Sequence, residues 1–220
     1  MATEPTSQAH GLQLTERDLR LLCDLVRFGP LRADQLTVRH AFPSERAARD
    51  RLRKLVAGGL LVKYFLDTYL ATAPGTRSTG LALGPPGRPG PRLPHDMAVA
   101  DLAVWLLGQE PGSSWVTERE LRHGCGLPAS MRGHVPDGKL VLASGKADAI
   151  ELELHDKRAD EYDRILRWFA RALIFDRFRW YVHGAALERA LRERAERHDL
   201  ADFMSVEQVP SAVRVLAWTG

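Results

Sequence analysis

A chain of 220 residues that is 45% apolar and 27% charged can bury one large or two small cores, which excludes global disorder. The net charge is only +3, but arginine far outnumbers lysine and the pI is about 9.1. No apolar run is long enough to span a bilayer, and the polar opening Met-Ala-Thr-Glu-Pro-Thr-Ser-Gln lacks a signal-peptide apolar segment.

Two cysteines, Cys23 and Cys125, supply no disulfide framework, so the expected compartment is a reducing cytoplasm, with no membrane partner. Cys23 reads as a core residue, and residues 1–13 as a flexible arm. Thr15 and Asp18 have the spacing of a capping box, with aspartate in place of the usual glutamate. Leu19, Leu22, Cys23, Leu25 and Val26 then recur at helical spacing up to Gly29-Pro30. A second helix is predicted from Ala33 to His40, with Leu36 and Val38 inward. Ser44 is an expected N-cap for a third helix, which runs to about Ala57 with Ala48, Leu52, Leu55 and Val56 inward and ends at Gly58-Gly59. Leu60 to Tyr64 reads as a strand, and Gly80 to Leu83 as its returning partner.

Three short helices followed by a hairpin is the order of a winged helix-turn-helix, predicted over residues 14–84. Between Arg17 and Lys63 the chain carries a local excess of arginine, which suits a polyanionic partner. The candidate DNA contacts are Arg46, Arg49, Arg53 and Lys54 on the third helix, Lys63 on the strand and Arg77 beyond it. Proline and glycine accumulate between Ala71 and Pro94, which argues against a helix or central strand there. Residues 85–94 are read as a stiff linker, with Arg88 and Arg92 as solvated linker charges.

Residues 95–220 are predicted to be a second domain. Met97, Val99, Leu102, Ala103, Leu106 and Leu107 give its first helix an apolar face. Asp96, beside His95, reads as a cap. Trp115-Val116 suggests a short strand, and Thr117 with Glu120 forms a full capping box. His123, Cys125 and His134 match no zinc-ligand spacing and read as loop residues. Leu140 and Leu142 mark a strand that turns through Ala143-Ser-Gly-Lys146 into Ile150-Glu-Leu-Glu-Leu-His155. The alternation in this last stretch has the period of a strand and puts Glu151, Glu153 and His155 on one face. If the two strands pair, Asp137 comes close to Glu151 and Glu153, a costly convergence unless a cation or proton offsets it. A helix over Ala159–Leu173 follows, with Tyr162, Ile165, Leu166, Phe169 and Leu173 inward. Then come a strand over Phe178–Val182, a helix over Ala185–Arg197, and late strands at Phe203–Val206 and Val213–Trp218.

Pro136-Asp137 before one strand and Glu-x-Glu on the next resemble the PD-(D/E)xK nuclease fold. With the Thr15–Tyr64 pattern, Leu102-Ala-Val-Trp-Leu, Trp115-Val-Thr-Glu-Arg-Glu-Leu, Val135-Pro-Asp-Gly, Tyr162-Asp-Arg-Ile-Leu and Phe178-Arg-Trp-Tyr-Val, the chain resembles the replication-relaxation family of plasmids and mobile elements. The resemblance implies an α+β protein: an N-terminal winged helix-turn-helix, then a restriction-endonuclease-like α/β domain with a small mixed sheet. It implies double-stranded DNA as partner, a homodimer, and work beside replication or conjugation proteins. It also implies that Asp137, Glu151 and Glu153 would hold Mg2+ or Mn2+ if the site cleaves DNA. Lys157 would then stand in for the lysine that in this fold lies two residues after the first acid, where this chain has Glu153. The alternatives to a DNA-binding accessory protein are a metal-dependent endonuclease and a non-catalytic dimeric interaction module.

Overall fold

The computed structural model describes residues 12–124 and 133–215. It is a mixed α+β protein with eight helices, a three-stranded sheet and a five-stranded mixed sheet among the described residues. The chain divides into two compact units, Met1–Gly90 and Pro91–Gly220. The residues predicted as the arm lie outside the described part up to Gly11, as do Cys125 and the end of the chain from Leu216.

In the first unit α1 (Glu16–Phe28) starts at a reciprocal capping box between Thr15 and Asp18. The Asp18 carboxylate also takes the guanidinium of Arg51 from α3 (Glu45–Ala57), so one buried acid caps one helix and ties it to another. Leu21, Leu22, Leu25, Val26, Leu36, Leu52 and Leu55 are all fully buried. Each such side chain contributes on the order of 1.5–3 kcal/mol. Cys23 is only partly buried. Between α1 and α3 lie β1 (Leu31–Arg32) and α2 (Ala33–Arg39). Leu36 is buried in α2, but Val38 is 72% exposed, which corrects the expectation that both face inward. Two residues turn a helix by about 200°, so they cannot share a face.

The hairpin comes earlier than predicted. β2 (Leu61–Tyr64) pairs antiparallel with β3 (Thr68–Ala71), and β3 also takes β1 on its other side. Residues 80–83 are not a strand. The turn passes through Leu66 and Asp67, both at φ +53°, a conformation that aspartate tolerates but leucine rarely adopts, so Leu66 masked the turn. The stretch from Ala71 also holds helix after all. α4 (Ala73–Arg77) is capped by Thr72 and keeps Pro74 in its first turn, where a missing N–H costs nothing. A side chain at Gly75 would sit 2.1 Å from the Leu60 carbonyl oxygen, so only glycine lets the two backbones approach.

The second unit opens with α5 (Leu93–Gln109), again with proline in the first turn. Its N-cap is Arg92, which corrects the expectation that Asp96 caps it. Then follow β4 (Ser114–Thr117), α6 (Glu118–Arg122), β5 (Gly138–Val141), β6 (Ala147–Glu153), α7 (Ala159–Phe169), β7 (Arg177–Val182), α8 (Ala185–Arg197) and β8 (Met204–Gln208). The sheet order is β4-β5-β6-β7-β8. The first three strands are antiparallel neighbours, whereas β6, β7 and β8 run parallel. The two parallel steps cross over through α7 and α8, as parallel pairing requires. Phe169, Trp180, Leu166 and Leu191 anchor the core that these helices share with the sheet. Leu173, expected inward, is 92% exposed because α7 ends at Phe169. Residues 213–215 are not a strand, and the rest of that predicted element lies outside the described residues.

Candidate functional site

β6 is the central strand of its sheet, so Glu151 and Glu153 do not line a solvated edge. Both are 5% exposed, between buried Ile150, Leu152 and Leu154. The β5–β6 register sets Gly138 opposite Ile150, which brings Asp137 level with Glu151. Asp137 is 8% exposed, and its Oδ2 accepts the Leu152 backbone N–H at 2.9 Å. Gly138 is required here, since a Cβ would lie 1.9 Å from Cζ2 of buried Trp115.

The structure thus brings the three predicted acids into the lining of one pocket of about 420 Å3, together with Lys157. It also supplies each acid with a basic partner. His95 Nε2 lies 3.0 Å from Asp137 Oδ1, and the Arg92 guanidinium lies 3.5 Å from the same oxygen. His134 Nε2 lies 2.6 Å from Glu151 Oε1. The Lys157 ammonium donates to Glu153. Arg92 also reaches Glu118 at 3.3 Å, so it is paired on two sides rather than a loose linker charge.

The electrostatics follow from burial opposed by these pairs. Burial pushes the Asp137 carboxyl up, but His95, the Leu152 amide and Arg92 outweigh it and hold the group below its ordinary range. Burial wins at Glu151 despite His134, with Asp137 adding to the upward shift, and it wins at Glu153 despite Lys157. His95 and His134 go the other way. Burial disfavours their charged forms, yet Asp137 and Glu151 raise both imidazoles above their usual value. Lys157 is raised because Glu153 outweighs its burial. The acids are therefore neutralised from within by protons and cations on neighbouring side chains.

That arrangement is not a ready-made cage for Mg2+ or Mn2+. Such an ion is usually held through one or two carboxylates and keeps several waters, and here Asp137, Glu151 and Glu153 each turn an oxygen to a different base that it would have to displace. Among the described residues no group of three or more His, Cys, Asp or Glu side chains is placed to hold a metal ion. His123 and His134 do not form a zinc set either, and Cys125 lies outside the described residues. Sequence reasoning missed His134, His95 and Arg92 as partners of the acids. The one legible signal was His134-Val-Pro-Asp137, which sets an imidazole just ahead of the acid-bearing strand.

In the first unit, Arg46, Arg49, Arg53 and Lys54 are all exposed on α3, as are Lys63 on β2 and Arg77 in α4. Arg49 pairs with Glu45 at 2.9 Å and with Asp67 of the hairpin turn at 2.7 Å, and Lys63 reaches the same Asp67 at 2.6 Å. Arg53 pairs with Asp50. Arg46, Lys54 and Arg77 have no carboxylate partner among the described residues. Part of the arginine excess is structural. Arg51 is held by Asp18, Arg39 by Asp24 at 2.8 Å, and Arg32 by Asp34 at 2.9 Å. No helix among the described residues is long and apolar enough to cross a membrane. Comparison of the sequence with models of protein families and with curated proteins finds no match.

Proposed function

We propose that this chain is a DNA-binding accessory or regulatory protein of a plasmid or other mobile element, of the replication-relaxation kind, and that its second unit is a nuclease-like scaffold without turnover. On this reading residues 14–84 are a winged helix-turn-helix. α3 enters the major groove of double-stranded DNA and the β2–β3 hairpin reaches the flanking backbone. The protein works as a cytoplasmic homodimer beside replication or conjugation proteins.

The observation that carries the reading is the outward row of cations on α3 next to the hairpin that holds Lys63. The Arg49–Glu45 and Arg53–Asp50 pairs on that row are exposed, and such pairs are worth little, so phosphate can replace them at small cost. Arg46 and Lys54 need not give up a partner at all. The second unit supports the non-catalytic half of the reading, because its three acids are already compensated by His95, His134 and Lys157. Cleavage would require Glu151 and Glu153 to exchange those partners for a metal.

Fluorescence anisotropy with labelled plasmid duplex across a salt series tests the proposal. Affinity should fall steeply with salt, and Arg46→Gln with Lys54→Gln should make the log–log slope shallower by about 0.9 for each phosphate that the variant no longer neutralises. Absence of duplex binding at low salt, or binding that salt does not weaken, overturns it. Incubation of supercoiled plasmid with Mg2+ or Mn2+ decides the scaffold half. Nicking by the wild type that disappears in Glu151→Ala would establish the endonuclease instead.

A further inference from the structure

α7 turns a second cationic surface outward, remote in sequence from α3. Arg164, Arg167 and Arg171 follow one another at spacings of three and four, so they form a single row along the helix and its end. All three are exposed. They line a cleft of about 870 Å3 with Gly133, Trp168, Leu173 and Ile174, and no acidic residue lines it among the described residues. Arg167 Nε donates to the Asp163 carbonyl at 3.0 Å, a contact within the helix. Neither Arg164 nor Arg171 has a carboxylate partner among the described residues.

Folding explains neither half of this surface. Like charges in a helical row repel, and Leu173, 92% exposed, gives the core nothing. A partner that brings both negative charge and flat apolar surface would account for both. Trp168 is half-buried, and edge contacts with His134 at 5.3 Å and Phe169 at 5.1 Å hold its indole in place. The cleft therefore sets a fixed aromatic and an aliphatic side chain among three guanidinium groups, which can also stack on bases. Inorganic phosphate would satisfy only the cations. A duplex would offer phosphates but keep its bases stacked inside. An unpaired strand offers phosphates and open base faces in alternation, the combination that single-strand binders recognise.

We infer that the cleft formed by Arg164, Arg167, Trp168, Arg171 and Leu173 is a binding site for single-stranded nucleic acid. Arg164 also lines the pocket of Asp137, Glu151 and Glu153, so a strand seated in the cleft runs up to the rim of that pocket. The inference does not depend on what α3 contacts.

The test is anisotropy of a labelled oligothymidylate of about 12 nucleotides, with the full chain, over a salt series. The triple substitution Arg164→Gln, Arg167→Gln, Arg171→Gln should weaken binding at least about tenfold at moderate salt. It should also make the salt slope shallower by about 2, since each phosphate contact on a single strand contributes about 0.7. Arg164→Lys, Arg167→Lys, Arg171→Lys keeps the charges and should retain most of the affinity, which separates a lost site from a damaged fold. Unlabelled duplex of the same sequence, at the same nucleotide concentration, should fail to displace the oligonucleotide. Wild-type affinity and slope in the glutamine variant overturn the inference, as does full displacement by duplex. A glutamine variant that only changes the monomer–dimer balance also overturns it and makes the cleft a contact between copies.

Discussion

Substitution of Asp137 by asparagine distinguishes a compensated acid cluster from a metal site built to be filled. Asp137 is nearly buried and accepts from the Leu152 amide, with His95 and Arg92 on its other oxygen. Asparagine keeps an acceptor for the Leu152 N–H but removes the charge. A hydrogen bond to a charged group contributes about 1.5–3 kcal/mol, and losing it leaves the protonated His95 without its counter-charge. The Arg92 side chain is 60% exposed, so solvent screens most of its share. The expected cost is about 2 kcal/mol near pH 6, or on the order of 1 M in the urea midpoint. If the three acids instead repelled one another, removing one charge would stabilise the protein, so the two readings differ in sign. All five tryptophans lie beyond Gly90, and tryptophan fluorescence therefore follows the second unit alone. Urea unfolding with a chelator present, in a double-mutant cycle with His95→Gln, gives both the sign and the coupling. An unchanged or raised midpoint in Asp137→Asn would refute the compensated network.

The pH dependence follows from the same pairs. His95 and His134 are raised in the folded state, so their contribution is fully present below the unfolded imidazole value of about 6.5 and is lost as pH climbs through the higher folded values. Glu151 and Glu153, also raised, act with the same sign at lower pH. The urea midpoint should therefore decline between about pH 6 and pH 9, and His134→Gln should flatten the decline; a rising midpoint over that interval contradicts the assignment. Gly138→Ala pushes a methyl to 1.9 Å from the Trp115 ring. It should cost more than the roughly 1–3 kcal/mol of ordinary overpacking, visible as lost near-ultraviolet dichroism, whereas an unchanged melting temperature would show that β4 yields freely. Leu66→Gly relieves a leucine in left-handed conformation that is 54% exposed. It should gain about 1 kcal/mol and slow hydrogen exchange at the Thr68 amide, which closes the turn onto the Phe65 carbonyl. Faster exchange would mean that the turn is held by the leucine itself.

Much of this architecture was readable from the chain. The Thr15–Asp18 and Thr117–Glu120 boxes carry their own chemistry locally, and both form where the spacing put them. α8 spans the predicted Ala185–Arg197, because its leucines repeat against polar neighbours without interruption. The alternation around Glu151 located β6, but periodicity cannot say whether a strand lies at the edge or the centre of a sheet. That depended on β7 and β8, which follow the acids in sequence. The hairpin turn was hidden because Leu66 adopts a glycine-like backbone without being glycine. The partners of the acids were hidden for another reason. Arg92 and His95 lie more than forty residues before Asp137, and only the folded chain sets them beside it.

Asp67 has a consequence for any polyanion that approaches the first unit. It is a tethered counter-ion, fixed at the bend of the hairpin and shared by Arg49 and Lys63. A phosphate arriving there sheds its own condensed cation but displaces a carboxylate that stays attached to the protein, and the freed Asp67 draws a cation back. The net ion release that normally accompanies polyelectrolyte association is therefore smaller at those two positions. Counting basic side chains on α3 and the hairpin would therefore overstate how sharply added salt weakens the complex. The freed Asp67 would also face the incoming strand as a repulsive charge, so the surface penalises polyanions that reach the hairpin without also engaging Arg46 and Lys54.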